Sequence, residues 1–314
     1  MIRSRLQFFF FLVLVALIVV LSSGCDYPHK FFAYGDSVTQ GCVPCMTTPA
    51  APECEPCQSE TGDYRLDCDN FSYPMALQRK LNQLPTSDPY YCSNTTLDGC
   101  VIKHGVGGIW VMNSKDDFLA ALDGLVPANY PNLHTILYLI GGNDVLASFA
   151  DAACCLWPFC TGCRISAPWN MDVPEFDRAY IRSQIVGVEQ DPRFTPSVWN
   201  LRLGAEEILA RNYVLVLGTY AMVPPGAMYP DAAQAALLSK FVKVFNQEVR
   251  NLKAQLDVSY PGRVKLADLN DTYLGDDGSP YYDWTDFYRI DGIHPNITGY
   301  EVAADLWYNT ILGL

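Results

Sequence analysis

Four short segments carry groups suited to acyl transfer. Tyr34-Gly35-Asp36-Ser37-Val38-Thr39-Gln40-Gly41 puts a serine at a glycine-bearing turn. A hydroxyl exposed there can attack a carbonyl carbon, and the backbone N–H of the same residue can face the oxyanion that forms. Glycine, aspartate and serine also build ordinary turns, so this tripeptide decides nothing alone. Asp291-Gly292-Ile293-His294-Pro295 sets a carboxylate and an imidazole three residues apart. On a turn the two can point together, the carboxylate fixing the tautomer while the other ring nitrogen takes a serine proton. The same residues would serve a helix entry. His104-Gly105-Val106-Gly107-Gly108 lets backbone approach a ligand closely, and Leu139-Ile140-Gly141-Gly142-Asn143-Asp144 presents a side-chain amide after an apolar run. The N–H groups of Ser37 and Gly108 with the Asn143 amide would make a three-donor oxyanion hole. A glycine loop without ligand and an Asx turn capping the next helix are the plainer alternatives, with Asp144 read as a cap.

These segments depend on the elements that hold them. Five apolar runs read as buried strands: His29 to Tyr34, Cys100 to His104, Thr135 to Ile140, Tyr213 to Gly218 and Arg263 to Leu269. The second is the weakest. Most are dominated by β-branched, leucine or aromatic residues, as strands covered on both faces are. Helical patterns lie between and after them, over Tyr73 to Leu84, Ser114 to Leu122, Val198 to Ala210, Ala232 to Leu256 and Thr298 to Ile311. The alternation predicts a parallel sheet with helices on both faces. Ser37 then leaves the carboxyl end of the first strand, where ligands of such sheets bind. With no internal repeat and no clean linker, residues 25–314 read as one domain. It carries two cysteine-rich insertions, at 42–68 and 154–163.

In chain order, Gly35-Asp36-Ser37, Gly108, Gly141-Gly142-Asn143-Asp144 and Asp291-x-x-His294-Pro295 resemble the four blocks of the SGNH (GDSL-type) esterase and lipase superfamily. The likeness runs from position 35 to 295, and His294 to Tyr300 also looks like the family's His-Pro segment with its later Gly-Tyr. The resemblance implies a three-layer α/β/α sandwich with a five-stranded parallel sheet, flavodoxin-like. It also implies Ser37 as nucleophile, Asp291 and His294 as the rest of a triad, and Gly108 and Asn143 beside Ser37 in the oxyanion hole. Departures are small. Val38 replaces the usual Leu or Ile after the serine, and Lys103 stands where many members carry Asn, which bears on the register of the second strand; Gly108 is taken as the donor over Gly107 or Gly105.

Composition narrows the remaining classes. The chain has 314 residues, 50% hydrophobic and 18% charged, enough apolar material for a core and too much for a disordered chain. A formal charge of -13 with no local basic patch speaks against nucleic acid as a partner. Residues 1–24 read as a signal peptide. Two arginines precede a run of 14 apolar residues, Phe8 to Leu21, short of the roughly 18 expected of a spanning helix, and small residues follow at Ser22-Ser23-Gly24. Cys25 makes Leu21 to Cys25 a loose lipobox, so attachment to a membrane through the N-terminus as a lipoprotein or an uncleaved anchor is also open. All 12 cysteines lie between positions 25 and 163, and disulfides in an exported chain explain them best. Cys42-x2-Cys45 with Cys54-x2-Cys57 could instead ligate zinc. Four glycosylation sequons begin at Asn70, Asn94, Asn270 and Asn296; a glycan on Asn296 would crowd the proposed base, so that site is expected to be unmodified.

His29, His104 and His134 are expected to make ordinary polar contacts, His104 lying close enough to the second block to line a pocket. Trp157, Phe159 and Trp169 in or near the second insertion could give a pocket an apolar rim, or could be core. The expectation is an exported serine esterase, secreted or periplasmic, that needs no cofactor and hydrolyses lipid acyl esters or O-acetyl groups on carbohydrate. A disulfide-rich extracellular module that binds carbohydrate or lipid on the same fold without turnover is the other.

Overall fold

The computed structural model describes residues 30–40, 72–92, 100–105, 111–125, 130, 132–146, 196–221, 232–269 and 294–313, and structural statements here concern these. Five strands form one parallel sheet: β1 (Lys30–Gly35), β2 (Val101–Gly105), β3 (Leu133–Leu139), β4 (Val214–Gly218) and β5 (Val264–Ala267), in the order β2-β1-β3-β4-β5. The chain passes from β1 outward to β2 and then back across to β3, so the order reverses beside β1. That reversal opens a crevice past the strand ends. Gly35 lies opposite Gly105 on one side and Leu139 on the other, so the segments after all three strands leave the sheet at one level.

Side chains alternate across the sheet and meet helices on both faces, the three-layer α/β/α arrangement expected. Phe32 and Tyr34 of β1 join Ile136 and Tyr138 of β3 against α3 (Val111–Gly124), α4 (Pro196–Ala210) and α5 (Ala232–Ser259). Phe31 and Ala33 face the other way with Leu137 and Leu139, against α2 (Tyr73–Leu81) and α6 (Ile297–Leu312). There Tyr73 stacks on Trp307 at 5.0 Å between ring centroids. Period-2 burial on both faces is why these strands read as continuous apolar runs.

All five expected strands and five expected helices are present, with shifted ends. β1 and β2 each run to the glycine after the expected boundary, β3 starts at Leu133 rather than Thr135, and β5 is four residues long. Helix α2 stops at Leu81, short of Leu84, and α5 continues past Leu256 to Ser259. Helix α3 begins at Val111 instead of Ser114, because the Val111 N–H finds an acceptor far away in sequence, Asp144 Oδ2 at 2.9 Å. Two short helical turns among the described residues were not expected: α1 (Ser37–Gln40), which starts at the serine itself, and residues 142–146 directly after β3.

Two glycines are required by close approach. A Cβ on Gly35 would collide with the Leu139 carbonyl and the Thr39 side chain, because α1 folds back directly off the strand. Gly141 has φ of 120°, and a Cβ there would strike the Phe245 ring of α5. Cys92 and Cys100 form a disulfide with Cα atoms 5.7 Å apart, leading into β2. The other ten cysteines lie outside the described residues, as do the N-terminal segment, both insertions, the three rim aromatics and the sequons at Asn70, Asn94 and Asn270.

Candidate active site

The crevice at the sheet's carboxyl edge is a pocket in which Ser37, Asn143 and His294 meet. Ser37 enters it from the first residue of α1 and His294 from the turn before α6, 257 positions later. Ser37 Oγ and His294 Nε2 stand 3.0 Å apart, within reach of direct proton transfer. His294 is mostly buried. Asn143 follows β3 and lines the same pocket beside Gly142. Asp291 and Gly108 lie outside the described residues. Much of the remaining wall is apolar, with Val38, Val145, Leu146, Val242, Phe245 and Leu269 contributing.

Asp36 organises this edge. Its side chain is 1% exposed, and its Oδ1 accepts the Val38 N–H at 3.0 Å, capping α1. Oδ2 accepts both the Gly142 N–H at 3.2 Å and the Tyr220 hydroxyl at 2.5 Å. One carboxyl therefore ties the residue after Ser37 to the residue before Asn143. Burial pushes the Asp36 carboxyl above its ordinary value; the hydrogen bonds from Tyr220, Val38 and Gly142 and the charge on His294 pull the other way. Burial and the adjacent Asp36 hold the Tyr220 hydroxyl well above its usual range, so it stays protonated and donates.

The residues around this centre divide clearly. Asp144 is a cap, as read from sequence, but of α3: from within the helical residues 142–146 it accepts the Val111 N–H. Its bond to Val111 fixes the first residue of α3. His104 does not line the pocket: its ring stacks on Tyr34 at 5.3 Å, and its Nε2 lies 3.1 Å from Asp117 Oδ2, which also accepts the Tyr34 hydroxyl at 2.9 Å. Asn296 is the N-cap of α6, its side chain accepting the Gly299 N–H at 2.9 Å. Sequence reasoning read Asp36 only as a turn residue and missed Tyr220 and Asn246. Tyr220 directly follows Gly218-Thr219 at the end of β4, and Asn246 is a polar residue inside the buried stripe of α5 between Phe245 and Val249. That interruption was the available signal.

The sequence model of the GDSL-like Lipase/Acylhydrolase family matches residues 31–307. The chain belongs to that family. This GDSL-like protein is accordingly a hydrolase of ester bonds. A comparison with curated proteins finds no match. Among solved structures, the lipase Lip_vut3 from a goat rumen metagenome has 13% identity and a TM-score of 0.50, covering 90% of this chain and 97% of its own. That likeness is one of fold. A Clostridium thermocellum family 3 carbohydrate esterase has 16% identity, a TM-score of 0.47 and coverage of 91% and 96%. The lipase/acylhydrolase from Enterococcus faecalis has 16% identity, a TM-score of 0.44 and coverage of 91% and 96%. Among the described residues, no group of three or more His, Cys, Asp or Glu side chains is arranged to hold a metal ion. No described helix is long and apolar enough to cross a membrane.

Proposed function

We propose that this GDSL-like hydrolase is a serine esterase that works through an acyl-enzyme. The observation that carries the reading is the 3.0 Å approach of Ser37 Oγ to His294 Nε2 inside the pocket. His294 takes the Ser37 proton as the oxygen attacks the ester carbonyl, and Asp291 orients the imidazole through its other ring nitrogen. The tetrahedral oxyanion is held by the N–H groups of Ser37 and Gly108 and by the Asn143 amide. His294 then returns the proton to the leaving alcohol. Water, deprotonated by the same imidazole, attacks the acyl-serine; the acyl–Oγ bond breaks, the acid leaves and His294 returns the proton to Ser37 Oγ. Lipid acyl esters and O-acetyl groups on carbohydrate are the two substrate classes; the apolar wall formed by Val145, Val242 and Phe245 supports an acyl group as the part received there.

The protein acts after export, as a single hydrolase domain over residues 25–314 with its two cysteine-rich insertions. The N-terminal apolar run, the cysteine distribution and the Cys92–Cys100 disulfide support that setting. Intact mass of the processed protein distinguishes cleavage before Cys25 from lipidation of that residue, and glycopeptide mapping should find Asn296 unoccupied. The deciding experiment compares wild type with Ser37→Ala on p-nitrophenyl acetate and butyrate. A loss of at least about 1,000-fold in kcat is expected, with fluorophosphonate labelling of Ser37 in the wild type alone. Equal turnover by the two proteins would refute the nucleophile assignment.

A further inference from the structure

We propose that Tyr220 is the positioning residue of the helical turn that carries Asn143: its hydroxyl, placed by Asn246, clamps Asp36 onto Gly142 and so sets where Asn143 stands relative to Ser37. The inference rests on the reading of Asn143 as an oxyanion donor. Asp36 Oδ2 is the shared acceptor, taking the Tyr220 hydroxyl at 2.5 Å and the Gly142 N–H at 3.2 Å, while Oδ1 takes Val38 N–H at 3.0 Å. The carboxylate thus bridges the segments after β1 and β3. Its rotation about the side-chain bond decides how closely those segments are drawn together. The longer Gly142 bond cannot fix that rotation as firmly as the short bond from the phenol.

The phenol is itself held in place. Asn246 Oδ1 accepts the Tyr220 N–H at 2.9 Å, and Asn246 Nδ2 donates to the Tyr220 carbonyl at 2.6 Å. Asn246 is fully buried on α5, so the residue after β4 is pinned to a helix rather than left to loop motion. The Tyr220 ring also lines the pocket, beside Gly142 and Asn143. The path runs Asn246, Tyr220, Asp36, Gly142, Asn143, through hydrogen bonds and one peptide link. A hydroxyl in that path contributes to turnover only through the amide it positions, which separates its role from that of a wall residue.

The test is a double-mutant cycle on p-nitrophenyl acetate with Tyr220→Phe, Asn143→Ala and the pair. Tyr220→Phe is expected to lower kcat about tenfold with KM changed less than about twofold. Asn143→Ala should lower kcat about 100-fold or more, and adding Tyr220→Phe to it should cost almost nothing further. Placing 4-aminophenylalanine at position 220, which keeps a donor on the ring, should restore most of the lost turnover. Wild-type kcat in Tyr220→Phe, a loss that falls on KM, no rescue by the amine, or losses that multiply in the pair would each overturn the proposal alone. Asn143→Ala with wild-type turnover would overturn the donor role of Asn143 and the proposal with it. Should Tyr220→Phe fail to fold, Asn246→Ala takes its place in the cycle with the same outcomes.

Discussion

Two carboxylates stand at the same end of the sheet and are held in opposite ways. Asp36, after β1, takes its hydrogen bonds from neutral donors: two backbone N–H groups and a phenol. Asp268, just past β5, is gripped by the Arg250 guanidinium at 2.6 and 2.9 Å and by the Thr219 hydroxyl at 2.7 Å. The first lines the pocket with Ser37 and His294, while the second is not among its lining residues. A guanidinium beside Ser37 would oppose the positive charge that His294 takes on in the proposed attack. Neutral donors satisfy Asp36 without placing a second positive charge beside His294. Away from the pocket that restriction lapses, and a bidentate arginine fixes the β5 end to α5 at full strength.

Of the three changes that test this contrast, the one at the pocket should have the largest effect on turnover. Asp36→Asn keeps the shape but can no longer accept from three donors, and kcat on p-nitrophenyl acetate is expected to fall about 100-fold. Its stability should move the other way with pH. Burial raises the Asp36 carboxyl above 3.8, so the fold prefers the protonated form. That contribution is complete below the unfolded value and is lost as pH rises through the folded one. Thermal melts from about pH 4 to about pH 7 should therefore show the variant gaining on wild type as pH increases. A difference in Tm that stays flat across this range would remove the charge from the comparison.

The second carboxylate supplies the converse. Arg250→Ala leaves Asp268 with an unmatched charge in a place where both side chains are largely covered, at 24% and 18% exposure. Unfolding in urea should show a loss of about 1–3 kcal/mol, with kcat within about twofold of wild type. A drop in kcat comparable to that of Asp36→Asn would show that the β5 end also tunes the site. The smallest effect belongs to the outer seam between α2 and α6, where Glu301 pairs with Arg79 and Lys80 in solvent. Glu301→Gln should shift stability by less than about 1 kcal/mol and leave turnover alone.

The parallel strands were legible in the sequence because both faces are covered, which turns each into a short unbroken apolar run. β2 reads less clearly for a physical reason: it is an edge strand, and Ile102 to Gly105 are only partly buried. Ends were harder to place wherever the deciding partner is distant. Helix α3 starts early because Asp144 reaches it from beyond β3, and α1 forms because Asp36, already held by Gly142 and Tyr220, caps it. Ser37, Asn143 and His294 could be named because each stands in a short pattern after a strand or before a helix. Tyr220 and Asn246 have no such pattern, and their roles exist only through contacts with residues 184 and 26 positions away.

By itself the sequence determined the order of strands and helices, the identity of the serine, amide and imidazole, and the glycines that let backbone segments meet. Those follow from local chemistry: apolar periodicity, turn-forming residues and the donor or acceptor each side chain carries. Only the tertiary structure decided that β1 lies between β2 and β3, that the serine and histidine oxygen and nitrogen come within 3.0 Å, and that a buried carboxylate joins the serine turn to the amide turn. Chain reversal and packing set those distances, and they come from contacts between segments that no short stretch of sequence contains.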